Sequence, residues 1–573
     1  MEGSTVGILL LLIFLIGYGV EAGADHEIQK NLQKQQPYRT AFHFQPPKNW
    51  MNDPNGPMYY KGVYHLFYQY NPYSAVWGNM TWAHSVSYNL VDWIHLEHAL
   101  NPTDPYDFNG CFSGSVTILP EGNPVILYTG NDYESRQVQN LAMPKNLSDP
   151  FLREWVKSDH NPLLSPINEI KPDLFRDPTT AWLGPDKQWR LLIGSQINGH
   201  GTALLYRSED FINWTRAHSP LHFSNKTGMW ECPDFYPVSL SGTNGLDTSV
   251  QGGAIKHILK ASFNDHDYYI VGTYDSKIDN FTVDTDFMDD NMKLRYRYDY
   301  GMFYASKTFF DDAKKRRILW GWVTEADTKS DDIEKGWSGL QSIPRSVWLD
   351  KAGKQLLQWP IAEIEKLRSE EVNLQNKEIK EGNVFEITGI TASQADIEVS
   401  FQLPNLHVAE QLNSDIPDPQ LLCNENNAST GGVLGPFGLL VLASKNLTEY
   451  TAIYFRIYKS QENYVVLMCS DQSRSSLATD VNKSNFGAFV DIDPRQKISL
   501  RSLIDHSIIE SFGGEGKVCI TARVYPKLAI DESSYLYAFN YGKQSVEISN
   551  LSAWSMKTAQ IFPFHQRRKP QID

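Results

Sequence analysis

The sequence is poor in basic residues, in cysteine and in long hydrophobic runs. Its 573 residues carry 52 Lys and Arg against 67 Asp and Glu, which gives a net charge of −15. A nucleic-acid-binding surface needs a basic patch, and an anionic membrane attracts basic segments. The composition therefore argues against both as partners. The chain is also too long for one ordinary domain, so we expect two or three.

Only the N-terminus carries a long apolar run. Residues 7–16 form an apolar core that is too short to span a bilayer, and the small residues Ala22, Gly23 and Ala24 follow it. This order is typical of a secretory signal peptide, although the first residues hold Glu2 and no Lys or Arg. We predict a signal peptide at residues 1–24 and a secreted mature chain without a membrane segment.

Cysteine occurs five times, so at least one thiol stays unpaired within the chain. Cys423 and Cys469, both in the C-terminal part, are predicted to form a disulfide. No Cys-x-x-Cys pair or His/Cys spacing suggests zinc, and the acidic residues 284–290 lack the spacing of a calcium loop. No metal and no cofactor are expected. The other three cysteines are predicted to be buried thiols: Cys111, Cys232 and Cys519.

Nine Asn-x-Ser/Thr sequons fit a secreted glycoprotein. Several must stay unused, because a sequon is modified only in an exposed loop. The candidate glycosylation sites are Asn146, Asn213, Asn225, Asn280, Asn427, Asn446, Asn482 and Asn550, and the ninth sequon is Asn79.

Short β-rich runs separated by Gly, Pro, Asn and Asp fill residues 40–360. Five of them look alike and begin at residues 64, 124, 189, 268 and 317, about one four-stranded blade apart. Two further segments, 87–93 and 208–214, match each other at a separation of about two blades. We predict an all-β fold with a five-bladed β-propeller at residues 38–360. A β-sandwich with irregular strands is the alternative for this region.

The region after the predicted propeller changes its pattern twice. Residues 361–374 are predicted to form a helical linker, because Ile361, Ile364 and Leu367 share one helical face. Strand patterns resume beyond about residue 375, for example at 439–442, 451–455, 465–468 and 498–500. They predict a C-terminal β-sandwich at residues 375–565.

Three carboxylates stand in or beside proline-fixed bends. Asp53 lies in Asn-Asp-Pro-Asn-Gly, Asp177 in Arg-Asp-Pro and Glu231 in Trp-Glu-Cys-Pro-Asp. Each alone could be structural, as a turn former, an ion pair or a strand-edge carboxylate. The three lie on different predicted blades, whose inner strands converge on one central funnel. In a chain with 12% aromatic residues, this arrangement indicates cleavage of a sugar.

Glycoside cleavage needs one ionised and one protonated carboxyl group. Asp53 suits the nucleophile, because aspartic acid is the stronger acid. Glu231 suits the proton donor, because the flanking Trp and Cys offer apolar surroundings that favour a protonated carboxyl. Asp177 is expected to stay ionised beside Arg176 and to stabilise positive charge that develops on the sugar ring.

These motifs resemble glycoside hydrolase family 32, which contains plant acid invertases and fructan exohydrolases. The resemblance extends from about residue 38 to the C-terminus and rests on residues 50–56, 175–178, 230–235, 304–307 and 505–512. It implies a propeller joined to a sandwich, and retaining hydrolysis of a terminal β-fructofuranosyl unit. It also implies that Asp53 is the nucleophile, Asp177 the transition-state stabiliser and Glu231 the acid/base.

Further residues are predicted to bind substrate or to mark the branch of the family. Pro233 and the short leader are similar to the cell-wall branch rather than to vacuolar members. The predicted substrate-binding residues are Trp50, Asn52, Gln69, Trp77, Phe112, Ser113 and Arg176.

Two departures from the family pattern bear on the substrate. Cell-wall invertases that the chain resembles carry an Asp, and a Lys three residues later, just before the strand that matches Tyr268. That pair helps to hold the glucosyl half of sucrose. The corresponding segment, 256–267, is shorter and lacks the pair, and Phe112 stands in the place of a Trp in the aromatic wall to which Trp77 also belongs. A missing hydrogen-bonding partner should weaken sucrose binding while the fructosyl pocket stays intact.

The sequence therefore predicts a monomeric fructan exohydrolase, secreted to the apoplast or cell wall, that releases fructose from β-2,6- or β-2,1-linked fructans. Cell-wall polysaccharide is a further candidate partner. A cell-wall acid invertase that hydrolyses sucrose is the first alternative. A catalytically attenuated relative that binds sugar or regulates true invertases is the second, and the presence of all three carboxylates argues against it.

Overall fold

The computed structural model describes residues 36–167, 169–225, 227–284, 296–412, 418–461 and 463–563. The predicted signal peptide at residues 1–24 lies outside these ranges. No helix in the described part of the chain is long and apolar enough to cross a membrane. Strands build five sheets in the N-terminal part of the chain and two in the C-terminal part.

The five N-terminal sheets are the blades of a β-propeller. Blade I contains strands β1 to β4, which are Asn49–Tyr60, Val63–Asn71, Thr81–Ser87 and Trp93–His95. Blade II contains β5 to β8, which are Cys111–Ile118, Pro124–Asn131, Gln137–Pro144 and Trp155–Lys157. Blade III contains β9 to β14, which are Phe175–Arg176, Trp182–Leu183, Trp189–Ile197, His200–Ser208, Trp214–Arg216 and His222–Ser224.

The remaining two blades follow in chain order. Blade IV contains β15 to β18, which are Glu231–Ser239, Ile255–Phe263, His266–Asp275 and Asn280–Val283. Blade V contains β19 (Tyr304–Asp311), β20 (Arg316–Val323), β23 (Arg345–Leu349) and β24 (Leu356–Pro360). Helix α1 (Lys329–Lys335) and the short strands β21 (Trp337–Ser338) and β22 (Leu340–Gln341) lie between β20 and β23.

Neighbouring blades pack through hydrophobic layers, because consecutive residues of a strand point to opposite faces. In β6, Ile126 packs with Phe67 of blade I, and the next residue, Leu127, packs with Leu191 of blade III. Further layers join blades III and IV, blades IV and V, and blades V and I. Five layers therefore close the ring and hold the inner strands at fixed positions around its axis.

The predicted repeats agree with the blades except in one case. In blade III, β9 and β10 together make up the inner strand, so β11 counts as the second strand. Four of the five similar runs lie in the second strand of a blade, but the run at 268–272 lies in β17, the third strand of blade IV. Its apolar pattern resembles a second strand because β16 and β17 are both buried. The segments 87–93 and 208–214 are equivalent: each links a third strand to a fourth. Leu90 and Phe211 occupy matching turn positions with φ of 64° and 65°.

The C-terminal part forms a β-sandwich. Its strands β25 to β31 are Arg368–Ile379, Asn383–Glu386, Gln394–Gln402, Glu410–Gln411, Phe437–Ala443, Thr451–Ser460 and Asn463–Asp471. Strands β32 to β37 are Phe486–Val490, Ile498–Asp505, Ile508–Gly513, Val518–Arg523, Tyr535–Asn540 and Val546–Met556. One sheet has the order β25-β37-β27-β33-β34-β35, and the other β26-β36-β29-β30-β31-β32. Helix α2 (Pro419–Glu425) packs on the outer face of the second sheet.

The predicted helical linker at residues 361–374 is helical only in its first half. A 3-10 helix spans Ala362–Leu367, and residues 368–374 already belong to β25. The apolar residues Ile361, Ile364 and Leu367 are three apart, which matches the three residues per turn of a 3-10 helix. All three are buried between the propeller and the sandwich. The connection is therefore a packed element rather than a free spacer.

The two domains share a buried charged interface. The guanidinium of Arg345 in blade V contacts Asp299 at 2.9 Å and Glu510 of the sandwich at 2.6 Å. The ring of His43 bridges Asp505, at 2.8 Å, and Glu510, at 3.1 Å. The family motif at residues 505–512 therefore joins the domains, and its Asp accepts hydrogen bonds from three successive backbone N–H groups of residues 41–43.

The last described strand, β38 (Ile561–Pro563), returns to the propeller. It pairs in parallel with β4, on the outer edge of blade I, while β21 pairs in parallel with β1 on the inner edge. The sequence placed residues up to 565 in the sandwich, and this strand departs from that placement. Blade I thus receives strands from two distant parts of the chain.

The structure shows how the cysteines pair and how exposed each sequon asparagine is. Cys423 and Cys469 form a disulfide, and Cys111, Cys232 and Cys519 are buried thiols. Of the nine sequon asparagines, Asn427 is half-buried and the other eight are exposed on the surface.

Candidate active site

The inner strands of the propeller are distorted where they meet at one end of its axis. Register shifts occur between Met51 and Pro54 in β1 and between Cys111 and Gly114 in β5. They recur at the start of β15, after Glu231, and at the start of β19, after Tyr304. In blade III the inner strand is interrupted between β9 and β10 instead. A β-bulge redirects the side chains around it, so each blade turns polar groups toward the axis at this end.

Asp53 lies in the first of these bulges. Ser113 donates a hydrogen bond to its Oδ2 atom at 2.6 Å, and Asn52 donates to its Oδ1 atom at 2.9 Å. The indole N–H of Trp50 donates to the Oδ1 atom of Asn52 at 2.8 Å. Trp50 therefore supports the site through Asn52, and its ring centroid lies 5.8 Å from that of Trp322, which lines the pocket.

Asp177 lies in the break of blade III, directly after β9, and has a φ of 66°. Its Oδ2 atom accepts a hydrogen bond from the backbone N–H of Cys232 at 2.8 Å, and its own N–H donates to Thr129 Oγ1 at 2.8 Å. The thiol of Cys232 lies 3.3 Å from Asp53 and 3.6 Å from Asp177. One buried cysteine thus contacts both carboxylates.

Glu231 begins β15 and, like Asp53, is half-buried, whereas Asp177 is buried. Its Oε2 atom accepts a hydrogen bond from Tyr304 at 2.6 Å, and its Oε1 atom is paired with Arg176. Trp230 does not supply the apolar surroundings that the sequence suggested, because it is buried and donates its indole N–H to Thr227. Cys232, the neighbour on the other side, turns its thiol toward Asp53 and Asp177.

Burial governs the acidity of the two aspartates. Burial and the nearby charge of Asp177 raise the pKa of Asp53 to about 6, although the hydrogen bonds from Ser113 and Asn52 act in the opposite direction. Burial also raises the pKa of Asp177 above its usual value, against the lowering effect of Arg176. The sequence had assigned Arg176 to Asp177, but its guanidinium points mainly to Glu231, and the Nε–Oδ2 distance to Asp177 is 3.8 Å.

The three acids line one pocket of about 350 Å³. This confirms their predicted convergence. The pocket also contains most of the other predicted site residues, which are Asn52, Gln69, Trp77, Phe112, Ser113 and Arg176. Four lining residues were not predicted: Met80, Gln137, Tyr304 and Trp322. Tyr304 is the first residue of the motif at 304–307, on which the family resemblance partly rests. That motif was the sequence signal that could have identified Tyr304 as a site residue.

The aromatic wall is open to solvent. Trp77 is 59% exposed, and its ring centroid lies 6.1 Å from that of Phe112 in an edge-to-face arrangement. The segment that differs from the invertase pattern forms a hairpin between β16 and β17 with a two-residue turn, Asn264 and Asp265, at φ of 49° and 60°. Glu231 pairs with Ser262, so this turn stands at the end of blade IV where Glu231 opens into the pocket.

One acidic group elsewhere could in principle bind a metal ion. Within the described ranges, Glu325, Asp327 and Asp332 bring carboxylate oxygens close together. The ammonium of Lys335 contacts all three, and Arg523 contacts Glu325 at 2.8 Å. Lys335 and Arg523 therefore supply the positive charge that a metal ion would otherwise bring to these carboxylates.

The pocket combines the groups that glycoside cleavage requires. It holds the buried carboxyl group of Asp177 and the half-buried carboxyl groups of Asp53 and Glu231, and Glu231 is paired with a cationic and a hydroxyl donor. Retaining and inverting glycosidases both place a pair of carboxyl groups on either side of the scissile bond. The fold and the site together define a glycoside hydrolase.

Comparison with known proteins identifies the family. Residues 43–360 match the description "Glycosyl hydrolases family 32 N-terminal domain", and residues 363–555 match "Glycosyl hydrolases family 32 C terminal". The chain is 58% identical to the insoluble β-fructofuranosidase isoenzyme CWINV1 of Arabidopsis thaliana over 97% of this chain and 99% of that protein. It is 54% identical to the fructan 6-exohydrolase of Beta vulgaris over 94% of this chain and 89% of that protein.

A solved structure is similar over almost the whole chain. The crystal structure of fructan 1-exohydrolase IIa from Cichorium intybus superposes with a TM-score of 0.91 at 59% identity, and the match covers 92% of this chain and 99% of that one. The protein belongs to glycoside hydrolase family 32. It is an enzyme of the β-fructofuranosidase class.

Proposed function

We propose that the protein is a secreted fructan exohydrolase, which hydrolyses terminal non-reducing β-D-fructofuranosyl units of β-2,6- or β-2,1-linked fructans. The observation that carries this proposal is the two-residue turn of Asn264 and Asp265 between β16 and β17. It stands where the invertases that the chain resembles supply a carboxylate and a lysine to the glucosyl half of sucrose.

The hairpin cannot make the same contacts with the glucosyl unit of sucrose. A two-residue turn with positive φ at both positions is the tightest connection between antiparallel strands, and Asn or Asp suits it. Its two side chains are exposed, and it contains no lysine. A sucrose-binding site that lacks one charged hydrogen-bonding partner loses affinity for the glucosyl unit, whereas the pocket around Asp53 is unaffected.

The proposed mechanism is retaining. Asp53, ionised above about pH 6, attacks the anomeric carbon of the terminal fructosyl unit. Glu231 protonates the leaving oxygen and then accepts a proton from the water that hydrolyses the covalent intermediate. Asp177 stabilises the positive charge that develops on the ring. Tyr304 and Arg176 hold the Glu231 carboxyl in place.

Sucrose hydrolysis by a cell-wall invertase is the second candidate function. The similarity to the Arabidopsis enzyme, which is named an insoluble β-fructofuranosidase, favours it. We further propose that the mature chain is a monomer located in the apoplast or cell wall, where cell-wall polysaccharide is a candidate partner. The names of the cell-wall relatives and the exposed sequons support this location.

The purified protein tests the proposal directly. Initial rates on sucrose, 1-kestose, inulin and levan would be measured at equal molar concentrations of fructosyl ends. We expect fructose release from at least one fructan with a kcat/KM well above that for sucrose. Rapid sucrose hydrolysis with negligible action on the fructans would support an invertase instead. Inactivity on all four substrates would support an attenuated sugar-binding protein.

A further inference from the structure

We propose that Phe108 and Tyr133 form a second sugar-binding platform at the mouth of the active-site pocket. This aromatic platform would hold fructosyl units beyond the bond that is cleaved. The inference rests on the proposed function, because only a chain of several units extends far enough to reach a second contact. It predicts that the enzyme selects for chain length with residues outside the pocket.

The two rings form an exposed pair. Phe108 is 59% exposed and Tyr133 is 73% exposed, and their centroids lie 5.7 Å apart in an edge-to-face arrangement. Large aromatic side chains usually bury most of their surface, and a cluster of exposed ones marks a binding surface more often than an isolated one does. Neither residue lines the pocket itself.

The strand register places the pair beside the pocket. Tyr133 lies in the turn between β6 and β7, whose flanking residues Asn131 and Gln137 pair with each other. Gln137 lines the pocket. Phe108 lies in the loop that leads into β5, four residues before Phe112, which also lines the pocket. Both loops therefore stand at the pocket end of blade II.

Hydrogen bonds hold the two loops together. The backbone N–H of Asn109 donates to Asn131 at 2.9 Å, and its side chain donates to the carbonyl of Asp132 at 2.6 Å. The N–H of Tyr133 donates to the carbonyl of Pro105 at 2.9 Å. The platform is thus fixed before any ligand arrives, which lowers the entropic cost of binding.

A buried carboxylate anchors the first loop. Asp107 is fully buried and accepts hydrogen bonds from Tyr128 OH at 2.6 Å and from the backbone N–H groups of Thr103 and Asp104. Lys157 neutralises it at 2.6 Å. This network keeps Phe108 at the surface although burial of its ring would be favourable.

A neutral, hydroxylated chain fits this surface. The pocket volume of about 350 Å³ is near the lower end of ligand pockets, about 300–1,000 Å³, so the rest of a long fructan must leave through the mouth. The edge-to-face pair of Trp77 and Phe112 lines the pocket, and the aromatic platform lies in loops at the same end of blade II. Aromatic rings bind the apolar C–H faces of sugar rings and leave the hydroxyl groups in water.

The same propeller offers a matched control. Tyr88, which is 49% exposed, and Phe151 form another edge-to-face pair with centroids 6.3 Å apart. Strand β3 begins beside Met80 of the pocket and ends at Ser87, so Tyr88 stands at the opposite end of the blade. Replacement of Tyr88 removes an equivalent aromatic surface that a bound fructan cannot reach.

The test compares Phe108→Ala, Tyr133→Ala, the double variant and Tyr88→Ala with the wild type. The kcat/KM would be measured for sucrose, 1-kestose, and inulin and levan oligomers of increasing length. We expect unchanged values for sucrose and 1-kestose. For chains of many units, the double variant should lose about tenfold, mainly through KM. Tyr88→Ala should match the wild type on every substrate.

A binding measurement separates this proposal from the proposed function. Migration in native gels that contain inulin or levan reports polymer binding without hydrolysis, and the melting temperature verifies folding. Retardation that the double variant loses and Tyr88→Ala keeps would support the platform even if the wild type hydrolysed only sucrose. Equal retardation of all variants, or a loss of kcat/KM that is the same for short and long substrates, would overturn it.

Discussion

The ammonium group of Lys260 lies 3.0 Å from the carbonyl oxygen of Cys232 and is completely buried. It also donates to Ser262 Oγ and to the carbonyl of Ser306, both at 2.8 Å. The ammonium of Lys307 donates to the next carbonyl, that of Pro233, at 3.1 Å. Two buried lysines therefore hold two successive carbonyls of the bulge that directs Glu231 into the pocket.

Replacement of Lys260 should disturb proton donation more than substrate binding. In Lys260→Met the carbonyl of Cys232 loses a charged donor in a buried site, so the bulge relaxes and Glu231 shifts. A small misplacement of a catalytic group costs about 10²-fold in rate, and we expect kcat to fall by about tenfold to a hundredfold. An aryl β-fructofuranoside, whose leaving group needs little protonation, should lose much less.

Lys256 provides the control for this experiment. It lies on the same strand, and among the described residues its ammonium contacts Asp284 and Thr273, not the bulge. Lys256→Met should keep the kinetics of the wild type. Equal losses of Lys260→Met on the sugar and aryl substrates would show that the lysine stabilises the domain without positioning Glu231.

Removal of either proposed catalytic carboxylate should abolish turnover without unfolding the chain. We expect Asp53→Ala and Glu231→Ala to lower kcat by about 10⁴-fold or more, because groups that act as a unit in the transition state are each essential. Their melting temperatures should stay near that of the wild type, since both side chains line the pocket and are not part of a hydrophobic core. Wild-type turnover by either variant would contradict the assigned roles.

The acid limb of the pH profile should report Asp53. Because the pKa of Asp53 is raised to about 6, kcat/KM should fall as the pH drops through about 6 and the nucleophile becomes protonated. The hydrogen bond from Ser113 favours the ionised carboxylate. Ser113→Ala should therefore move the acid limb to higher pH.

Ser115 provides the control for Ser113→Ala. It lies two residues further along β5, is buried, and its hydroxyl makes no hydrogen bond among the described residues. Ser115→Ala should leave the acid limb in place. A limb that does not move in Ser113→Ala, measured from kcat/KM between pH 4 and 8, would show that another group controls it.

The interface between the domains should be sensitive to pH through His43. Burial lowers the pKa of His43, but hydrogen bonds to Asp505 and Glu510 outweigh this effect and raise it. The charged form is thus more favoured in the folded state, so its stabilisation is complete below about pH 6.5 and disappears as the pH rises through the raised pKa. Replacement by Gln should therefore lower the melting temperature more at pH 5.5 than at pH 9. Equal losses at the two pH values would show that His43 is not charged in the fold.

The disulfide should stabilise the sandwich mainly through the unfolded chain. Cys423 and Cys469 are 46 residues apart, and closure of a loop of this length contributes about 4 kcal/mol in the chain-entropy view. The double replacement of both cysteines by Ala should lower the midpoint of thermal unfolding while the kinetics at 25 °C stay unchanged. A lower kcat at 25 °C would indicate that the sandwich contributes to the active site.

Local turn chemistry and strand periodicity made much of the fold predictable. The matching segments at 87–93 and 208–214 share an Asx turn, in which Asn89 and Asp210 accept hydrogen bonds from backbone N–H groups two and three residues later. Such turns depend on neighbouring residues alone, so the sequence reveals them. The five similar runs indicated the number of blades, and the spacing of the two segments agreed with it.

The environment of each site residue was less accessible from sequence. Tyr304 and Arg176 approach Glu231 from blades V and III, and only the closed ring brings them together. The acidity of Asp53 depends on burial and on Asp177, 124 positions away. The neighbours of Glu231 in sequence did not reveal its environment, because Trp230 donates to Thr227 and Cys232 turns toward the two aspartates. Convergence of the acids could be inferred, but their individual partners could not.

The position of β38 has a consequence for biosynthesis. The ribosome completes the sequence of all five blades before it makes the strand that covers the outer edge of the first one. Until then, blade I presents an unpaired edge, to which a strand of another molecule could bind. A nascent propeller therefore depends on β38 to cover this edge, and a product truncated before β38 would expose an edge strand that can pair with another molecule.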